Sequence, residues 1–323
     1  MTGGTARAAV LQGPRAAAVE RAPLPPLGPR EVRVRLEGCG VCGSNLPVWE
    51  GRPWFKYPLA AGAPGHEGWG RVAEIGAEVE RIAVGQRVAA LSYQAFAEFD
   101  VAEASNVVVL PPELDGQPFP GEALGCAMNV FQRSDIRAWH TVAVVGVGFM
   151  GAVLVALAAK AGARVIAISR RPFALEIARR MGATETIALG ERAAVVGAVR
   201  ELTGGGGCER VIEATGLQEP LHLAGELTAE RGRLIIAGFH QDGLREVNLQ
   251  LWNWRGLDVV NAHERDPRAY VAGMRAAADA VARGRLDPRP LYTDQFRLDE
   301  IAHALDAMRD RDGAFLKALL TYD

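Results

Sequence analysis

A glycine-rich turn between two apolar strands constrains the fold of this chain more than any other stretch. Residues 141–145 are apolar and mostly β-branched, which predicts a strand buried on both faces. The sequence GVGFMG follows at once, and then come an apolar helical run at 152–160 and a second apolar strand at 164–168. Roughly thirty residues in this order predict one βαβ unit. Because strands and helices keep alternating beyond it, we predict a parallel, doubly wound α/β sheet.

The turn itself predicts a binding site for the pyrophosphate of a dinucleotide. Its first glycine permits the tight turn, its second lets the backbone approach the phosphates, and its third lets helix and strand pack closely. The helix N-terminus adds N–H donors and a positive dipole end. The alternative is a βαβ unit with a glycine turn and no ligand. The candidate cofactor-binding residues of the turn are Gly146, Val147, Gly148, Phe149, Met150 and Gly151.

Three residues at the end of the second strand indicate which dinucleotide binds. An NAD-binding unit normally places Asp or Glu there to hold the ribose hydroxyls. This chain has Ser169, Arg170 and Arg171 instead, and a hydroxyl with two guanidinium groups suits a 2′-phosphate. We therefore predict NADP in preference to NAD. The alternative is that the arginines are solvated and that NAD binds without the acid.

Length, charge and cysteine content exclude several classes of protein. A chain of 323 residues is long for one core, which predicts two domains. A net charge of −2 provides no basic face for nucleic acid. The apolar runs are too short to span a membrane and the N-terminus lacks a signal-peptide pattern, so we expect a cytoplasmic enzyme without a membrane or nucleic-acid partner. The four cysteines do not suggest a disulfide framework.

Short β-like segments separated by Gly and Pro dominate the first 110 residues and predict a compact β domain or irregular barrel. The clearest strand is 31–38, where Val32, Val34 and Leu36 alternate with charged residues. A glycine loop, GCGVCG, follows it. A helix predicted at 122–133 leads to the nucleotide-binding region. After that region we predict helices at 270–283 and 298–310 and a final strand in FLKALLTY.

Three features of the N-terminal region could together supply a metal site. Cys42 lies in the glycine loop, His66 and Glu67 lie between two glycines, and Glu122 opens the helix at 122–133. Cys, His and carboxylate are zinc ligands, and their long spacing favours a catalytic site with three protein ligands and an open position. The C-x-x-C of Cys39 and Cys42 has no second pair that would complete a structural zinc site. Glu122 alone could simply be an acid favoured at a helix N-terminus.

The segments EGCGVCGSN, GAPGHEGWGRV, EALGCAM, VAVVGVGFMG, VIEATG and RGRLIIAGF together resemble the zinc-dependent medium-chain dehydrogenase/reductase superfamily, which contains the alcohol and polyol dehydrogenases. The resemblance covers nearly the whole chain. It implies a GroES-like catalytic domain at 1–133, a Rossmann domain at 134–264 and a return to the catalytic domain at 265–323. It also implies a homodimer or homotetramer, in which the strand 257–261 pairs across a two-fold axis.

The resemblance assigns roles to the candidate residues. Cys42 and His66 match zinc ligands. Glu67 matches an acid that binds zinc in some members and lies next to the zinc ligands, without binding the metal, in others. Glu122 matches the variable third ligand. Ser44 matches the hydroxyl that passes the alcohol proton toward the cofactor ribose. The motifs VIEATG and RGRLIIAGF add three implied cofactor contacts, at Ala214, Thr215 and Gly238.

This chain also departs from the pattern of the superfamily. The structural-zinc lobe, four closely spaced cysteines after GQRV, is absent, so one zinc per subunit is expected. Asn45 stands where many members have an aspartate that orients the zinc histidine, so that support must be weaker or come from elsewhere. Pro47 stands where many members have the histidine that ends the proton relay.

The expected activity is hydride transfer between NAD(P) and a small-molecule substrate, a secondary alcohol or polyol, sugar or cyclitol, or the reverse reduction of a ketone. Five aromatic residues could line the substrate pocket or could instead belong to the core: Trp49, Trp54, Phe55, Trp252 and Trp254. Two alternatives remain open: a zinc-free reductase of enones or quinones in the same superfamily, and a non-catalytic nucleotide-binding relative.

Overall fold

The computed structural model describes residues 4–322, which form two compact units. One unit comprises residues 4–125 together with 265–322, and the other comprises residues 126–264. The domain limits given above, 1–133, 134–264 and 265–323, stay a sequence-based prediction. Within the described residues, every helix is too short or too polar to cross a bilayer.

The strands have the following bounds: β1 Thr5–Gly13, β2 Ala16–Pro23, β3 Glu31–Gly40, β4 Gly68–Ile75, β5 Arg87–Ala90, β6 Phe99–Glu103, β7 Val107–Val109, β8 Thr141–Val145, β9 Arg164–Ser169, β10 Glu185–Ala188, β11 Cys208–Glu213, β12 Thr228–Ile236, β13 Asp258–Asn261, β14 Asp294–Arg297 and β15 Ala318–Thr321. The α-helices are α1 Leu46–Trp49, α2 Gly121–Ser134, α3 Phe149–Lys160, α4 Pro172–Arg180, α5 Arg192–Leu202, α6 Gln218–Leu227, α7 Leu249–Trp254, α8 Pro267–Ala282 and α9 Ile301–Asp310.

The unit 126–264 contains a six-stranded parallel sheet in the order β10-β9-β8-β11-β12-β13. Residues 142–145 of β8 are fully buried, as their unbroken apolar run predicts. The predicted α/β fold class is thus confirmed. Two boundaries of the first βαβ unit were wrong. α3 begins at Phe149 and not at Ala152, because Gly148 already serves as its N-cap, and β9 ends at Ser169 and not at 168.

The unit formed by both ends of the chain contains a seven-stranded sheet with the path β14-β15-β3-β4-β5-β7, and β6 also pairs with β3. Val32, Val34 and Leu36 of β3 face its core, as their alternation predicts. The C-terminal strand β15 pairs with the end of β3, where Leu319 lies opposite Gly40. This pairing brings β15 beside the loop that carries Cys42.

Several elements in the second half of the chain differ from the prediction: α8 begins at Pro267 and not at 270, and α9 begins at Ile301 and not at 298. The final strand covers only Ala318–Thr321 of the segment FLKALLTY. The aromatic segment before β13 forms the short helix α7, which the sequence analysis missed. Its signal was present: the side chain of Asn248 accepts a hydrogen bond from the Leu251 N–H at 3.0 Å, which is the usual action of an asparagine N-cap.

Candidate functional site

Cys42 lies in the tight turn that follows β3. Residues Gly43–Asn45 form a single 3-10 turn between β3 and α1. The Asn45 N–H donates to the Cys42 carbonyl oxygen at 3.0 Å, and the Cys42 N–H donates to Asn45 Oδ1 at 2.9 Å. These two bonds close the loop on itself. The half-buried Cys42 thiol is therefore held at the end of a core strand.

His66 and Glu67 lie directly before β4. His66 Nδ1 is 2.8 Å from the carbonyl oxygen of Pro64. A carbonyl can only accept a hydrogen bond, so Nδ1 carries a proton and donates. The other ring nitrogen, Nε2, lies 3.4 Å from the Ser44 hydroxyl. His66 thus presents Nε2 to the loop that carries Ser44 and Cys42.

These two loops bring three potential metal ligands together. One donor atom each of Cys42, His66 and Glu67 lies within 4.8 Å of the other two. A thiolate, an imidazole and a carboxylate at this spacing form the donor set that Zn²⁺ prefers. Glu122, the second residue of α2, is buried in the same unit but lies outside this group of three.

The electrostatics of the group favour a bound cation. Burial by itself would lower the pKa of His66, but a hydrogen bond to Cys42 and the negative charges of Cys42, Glu122 and Glu67 raise that pKa to about 10. The surroundings of His66 therefore favour positive charge at this place. A divalent cation at the same place would satisfy the same charges, so the donor set fits zinc.

Lys317 is a charged partner that the sequence analysis missed. Its Nζ lies 2.7 Å from Oε1 and 2.5 Å from Oε2 of Glu67, and it donates to the Val41 carbonyl at 3.0 Å. Both side chains are buried. Burial would lower the pKa of Lys317, but the charge of Glu67 raises it overall. A lone lysine in the apolar run FLKALL was the available signal, since a buried ammonium needs a counter-ion.

Glu67 occupies its position because Gly40 has no side chain. A Cβ placed on Gly40 would lie 1.9 Å from Glu67 Oε2 and 3.0 Å from Lys317 Cε. The carboxylate thus packs directly over the end of β3, next to the Cys42 loop. One carboxylate of the group is consequently neutralised by a buried lysine from the C-terminal segment.

In the other unit, the three glycines of the turn between β8 and α3 have different surroundings. Gly146 has a φ of +100°, and a Cβ there would lie 2.4 Å from Thr215 Cγ2. A Cβ on Gly151 would lie 2.0 Å from the Gly146 carbonyl oxygen. A Cβ on Gly148 would meet nothing within 4 Å. Gly146 and Gly151 are thus required by the fold, whereas the space above Gly148 is available to a ligand.

The three residues expected at the 2′-phosphate follow one another at the end of β9. Ser169 is its last residue and is buried, and its hydroxyl accepts a long hydrogen bond, 3.5 Å, from the Arg171 N–H. Arg170 is exposed, and Arg171 is the N-cap of α4. β9 is hydrogen-bonded to β8 along its length, so these residues lie at the same edge of the sheet as the glycine turn.

Ala214, Thr215 and Gly238 follow β11 and β12 at that same edge. A fully buried acid, Glu213, organises them: its Oε1 accepts from the N–H of Thr215 at 2.6 Å and from the N–H of Gly216 at 2.9 Å. Its Oε2 lies 2.9 Å from Nε2 of His240. A Cβ on Gly238 would lie 2.6 Å from the same oxygen. The sequence analysis noted the motif VIEATG without assigning Glu213 a role.

The aromatic residues proposed for a substrate pocket have different environments. Trp49 is fully buried, and its indole N–H donates to Asp306 Oδ1 at 3.0 Å, so it is a core residue. Trp252 is also buried. Trp54 and Trp254 are 55% and 88% exposed. The interpretation as core residues is therefore correct for Trp49 and Trp252.

Two family models match most of the chain. Residues 28–115 match the family model of the alcohol dehydrogenase GroES-like domain, and residues 146–278 match that of the zinc-binding dehydrogenases. The chain is 26% identical to an L-threonine 3-dehydrogenase of Bacillus velezensis, over 91% of this chain and 92% of that protein. It is 29% identical to an erythritol/L-threitol dehydrogenase of Mycolicibacterium smegmatis, over 93% of each.

A solved structure gives the same result for the fold. A protein of Sinorhizobium meliloti 1021, assigned to the zinc-binding dehydrogenases and solved with NADP bound, superimposes with a TM-score of 0.85 at 27% sequence identity. The superposition covers 98% of this chain and 99% of that one.

Proposed function

Because this chain belongs to the zinc-dependent medium-chain dehydrogenase/reductase superfamily, we propose that it is a dehydrogenase. It would transfer hydride between NAD(P) and a secondary alcohol, polyol, sugar or cyclitol. The observation that carries the proposal is the group formed by Cys42, His66 and Glu67, with the Ser44 hydroxyl beside the imidazole. The relatives named as threonine and erythritol/L-threitol dehydrogenases support an alcohol substrate.

Cys42 and His66, with one or both of Glu67 and Glu122, would hold one zinc ion per subunit. Bound there, zinc would supply a Lewis acid that polarises the substrate oxygen. In the oxidation direction the substrate hydroxyl loses a proton, for which Ser44 is the proposed acceptor and relay toward the cofactor ribose. The oxidised nicotinamide, when bound, would supply the acceptor for the hydride that leaves the substrate carbon. The products are a ketone or aldehyde, the reduced cofactor and one proton, and the reverse reaction consumes the same species.

For the cofactor we propose NADP in preference to NAD. Ser169, Arg170 and Arg171 follow one another at the carboxyl end of β9, where an acid would otherwise hold the ribose hydroxyls. The NADP bound in the Sinorhizobium meliloti structure supports the same preference. Measured dissociation constants of NADP and NAD test this preference, and tighter binding of NAD would contradict it.

The metal proposal is tested by the variant Cys42→Ala beside the matched control Cys39→Ala. Cys39 is the other thiol of the C-x-x-C, but it is fully buried and its Sγ contacts the Gly40 carbonyl. We expect about one zinc per chain in the wild type and in the control. In Cys42→Ala we expect little zinc and turnover lowered by more than about 100-fold. Loss of a residue that only hydrogen-bonds to a metal ligand already lowers metal affinity or activity by about 10- to 100-fold.

NADP binding should be unchanged in both variants, because the glycine turn belongs to the other unit. A Cys42→Ala protein with full zinc content and full activity would refute the metal site. Wild-type protein that contains no zinc yet reduces enones or quinones would identify a zinc-free reductase instead.

We further propose that the chain forms a homodimer or homotetramer through β13. This strand is the last of its sheet, so one of its edges has no partner strand within the described chain. A molar mass of one subunit in light scattering would contradict this. The cytoplasmic location stays a prediction.

A further inference from the structure

A fully buried carboxylate at the end of β11 joins the two loops at that edge of the sheet. Glu213 Oε1 accepts from the N–H groups of Thr215 and Gly216 at 2.6 and 2.9 Å. Its Oε2 lies 2.9 Å from His240 Nε2, and its backbone carbonyl accepts from the Gly238 N–H at 2.8 Å. The loops after β11 and β12 are therefore held by one residue, whose buried charge requires such partners.

Arg245 completes this arrangement from the far end of the loop after β12. Its Nε donates to His240 Nδ1 at 3.0 Å, and its Nη2 donates to the Gly216 carbonyl oxygen at 3.1 Å. A guanidinium can only donate and a carboxylate can only accept, so the imidazole accepts at Nδ1 and donates at Nε2. Glu213, His240, Arg245 and Gly216 thus form a closed ring of hydrogen bonds, in which the imidazole links a positive to a negative charge.

The order of the strands indicates which part of a dinucleotide this ring would serve. In the sheet, β9 lies on one side of β8, whereas β11 and β12 lie on the other. With the pyrophosphate at the glycine turn after β8 and the adenosine end beside β9, the nicotinamide half would extend toward the loops after β11 and β12. Ala214, Thr215 and Gly238, the cofactor contacts expected from the sequence, belong to those loops.

We propose that His240 and Arg245 are positioning residues for the nicotinamide half of the cofactor, which act through Glu213 on the loops after β11 and β12. The inference rests on the proposed dinucleotide site and adds to it the side chains that hold these two loops together. The loops touch through their backbones, since a Cβ on Gly238 would lie 2.1 Å from the Gly216 nitrogen. A displacement of one loop would therefore displace the other as well.

A second attachment keeps the loop after β12 in place when the ring is opened. Gln218 Nε2 donates to the Glu246 carbonyl oxygen at 2.7 Å, and the Glu246 N–H donates to Gln218 Oε1 at 2.9 Å. The variant Arg245→Met leaves the atoms of both bonds in place. It removes only the bonds of the guanidinium, to His240 Nδ1 and to two carbonyl oxygens, so we expect a local change in a folded protein.

The experiment compares the wild type with Arg245→Met, His240→Leu and His240→Gln by titration with two ligands. NADP probes the whole cofactor site, and adenosine 2′,5′-bisphosphate probes only its adenosine half. We expect Arg245→Met and His240→Leu to bind NADP at least about tenfold more weakly, the usual effect of losing a hydrogen bond to a charged group. Both should bind the bisphosphate with wild-type affinity. His240→Gln should keep most of the NADP affinity, because an amide can also donate to Glu213 and accept from Arg245.

The matched control is Arg200→Met, which alters an exposed arginine of α5 in the same unit and should bind both ligands as the wild type does. Circular dichroism shows whether each variant is folded, and Arg245→Met serves if His240→Leu fails to fold. If the wild type prefers NAD, then NAD and AMP take the place of the two ligands.

Three outcomes would overturn the inference. Equal weakening of NADP and bisphosphate binding would show that the ring supports only the fold of the unit. Wild-type NADP affinity in Arg245→Met would show that the ring is dispensable. A loss in His240→Gln as large as that in His240→Leu would show that the imidazole does not act as a bridge between donor and acceptor. Wild-type protein that binds neither NADP nor NAD would instead contradict the proposed dinucleotide site itself.

Discussion

The glycine turn of one unit and the candidate metal group of the other, formed by Cys42, His66 and Glu67, are built in opposite ways. The turn consists of six consecutive residues, 146–151, and its geometry depends on backbone atoms and on the absence of side chains. The metal group combines side chains from positions 42 and 66–67 with a lysine 250 residues farther along the chain. The first is determined by local sequence, whereas the second exists only once strands from both ends of the chain have paired.

This difference predicts where each site is vulnerable. In the metal group, charges are buried and mutually dependent, so removing one leaves another without compensation. In the turn, the atoms that support the fold and the surface that would contact a ligand belong to different glycines. The metal group should therefore respond to mutation with large losses of stability, and the turn should allow fold and ligand binding to be separated.

The largest effect is expected when Lys317 is removed. The variant Lys317→Met leaves Glu67 buried without its counter-ion, and breaking one partner of such a pair costs about 3–5 kcal/mol of unfolding free energy. The double variant Glu67→Gln/Lys317→Met should recover much of this loss, since no unpaired charge remains. Urea unfolding of the metal-free wild type, the single variant and the double variant measures these differences in unfolding free energy.

The matched control is Lys160→Met, because Lys160 is exposed at the end of α3. It should change the unfolding free energy by less than about 0.5 kcal/mol. If Lys317→Met were no more destabilising than this control, the metal group would not depend on its buried ion pair, and the contrast with the turn would fail.

The second-largest effect distinguishes Gly151, which the fold requires, from Gly148, which is expected to contact the ligand. Gly151→Ala should cost about 1–3 kcal/mol of stability, because the added Cβ would lie 2.0 Å from the Gly146 carbonyl. Gly148→Ala should be nearly neutral for folding, since its φ of −89° suits alanine and nothing lies within 4 Å of the new atom. It should nonetheless weaken NADP binding by about tenfold or more, at least about 1.4 kcal/mol, because the methyl group would occupy space needed by the pyrophosphate.

Urea unfolding and fluorescence titration with NADP measure the two effects. Unchanged NADP affinity in Gly148→Ala would show that the turn binds no pyrophosphate there. A fully stable Gly151→Ala protein would show that the contact of α3 with the turn is looser than the structure indicates.

The same contrast explains how much the sequence could predict. The strand β8, the roles of Gly146 and Gly151, and the alternation of β3 were all predicted, because each depends on residues adjacent in sequence. The sequence alone could not predict the ion pair of Glu67 with Lys317 or the hydrogen bond of His66 to Pro64. The first joins distant segments, and the second uses a backbone carbonyl, which every residue possesses and no residue type marks.

The smallest expected effect concerns His140, a buried histidine in the unit with the turn. His140 precedes β8, and its Nδ1 accepts from the Arg137 N–H at 2.9 Å. Burial, followed by the charge of Arg210, lowers its pKa from the ordinary value of 6.5, which is opposite to the shift of His66. At His140, burial and the charge of Arg210 outweigh the nearby carboxylates of Glu209 and Asp135, which act in the opposite direction. At His66 the anions outweigh burial, so the balance of the surroundings sets the sign of the pKa shift.

A lowered pKa in the folded state has a defined consequence for stability. The unfolded chain binds the proton of His140 at a higher pH than the folded chain does, so unfolding takes up a proton as the pH falls through 6.5. This contribution to stability is complete well above pH 6.5 and is lost progressively below it.

The variant His140→Asn keeps an acceptor for the Arg137 N–H but does not titrate. The difference in unfolding free energy between wild type and variant, measured between pH 7.5 and 5.5, should therefore shift in favour of the variant as the pH falls, while groups common to both cancel. A difference that stays constant, or that shifts in favour of the wild type, would mean that His140 is accommodated in its charged form and that the two histidines do not differ as their surroundings imply.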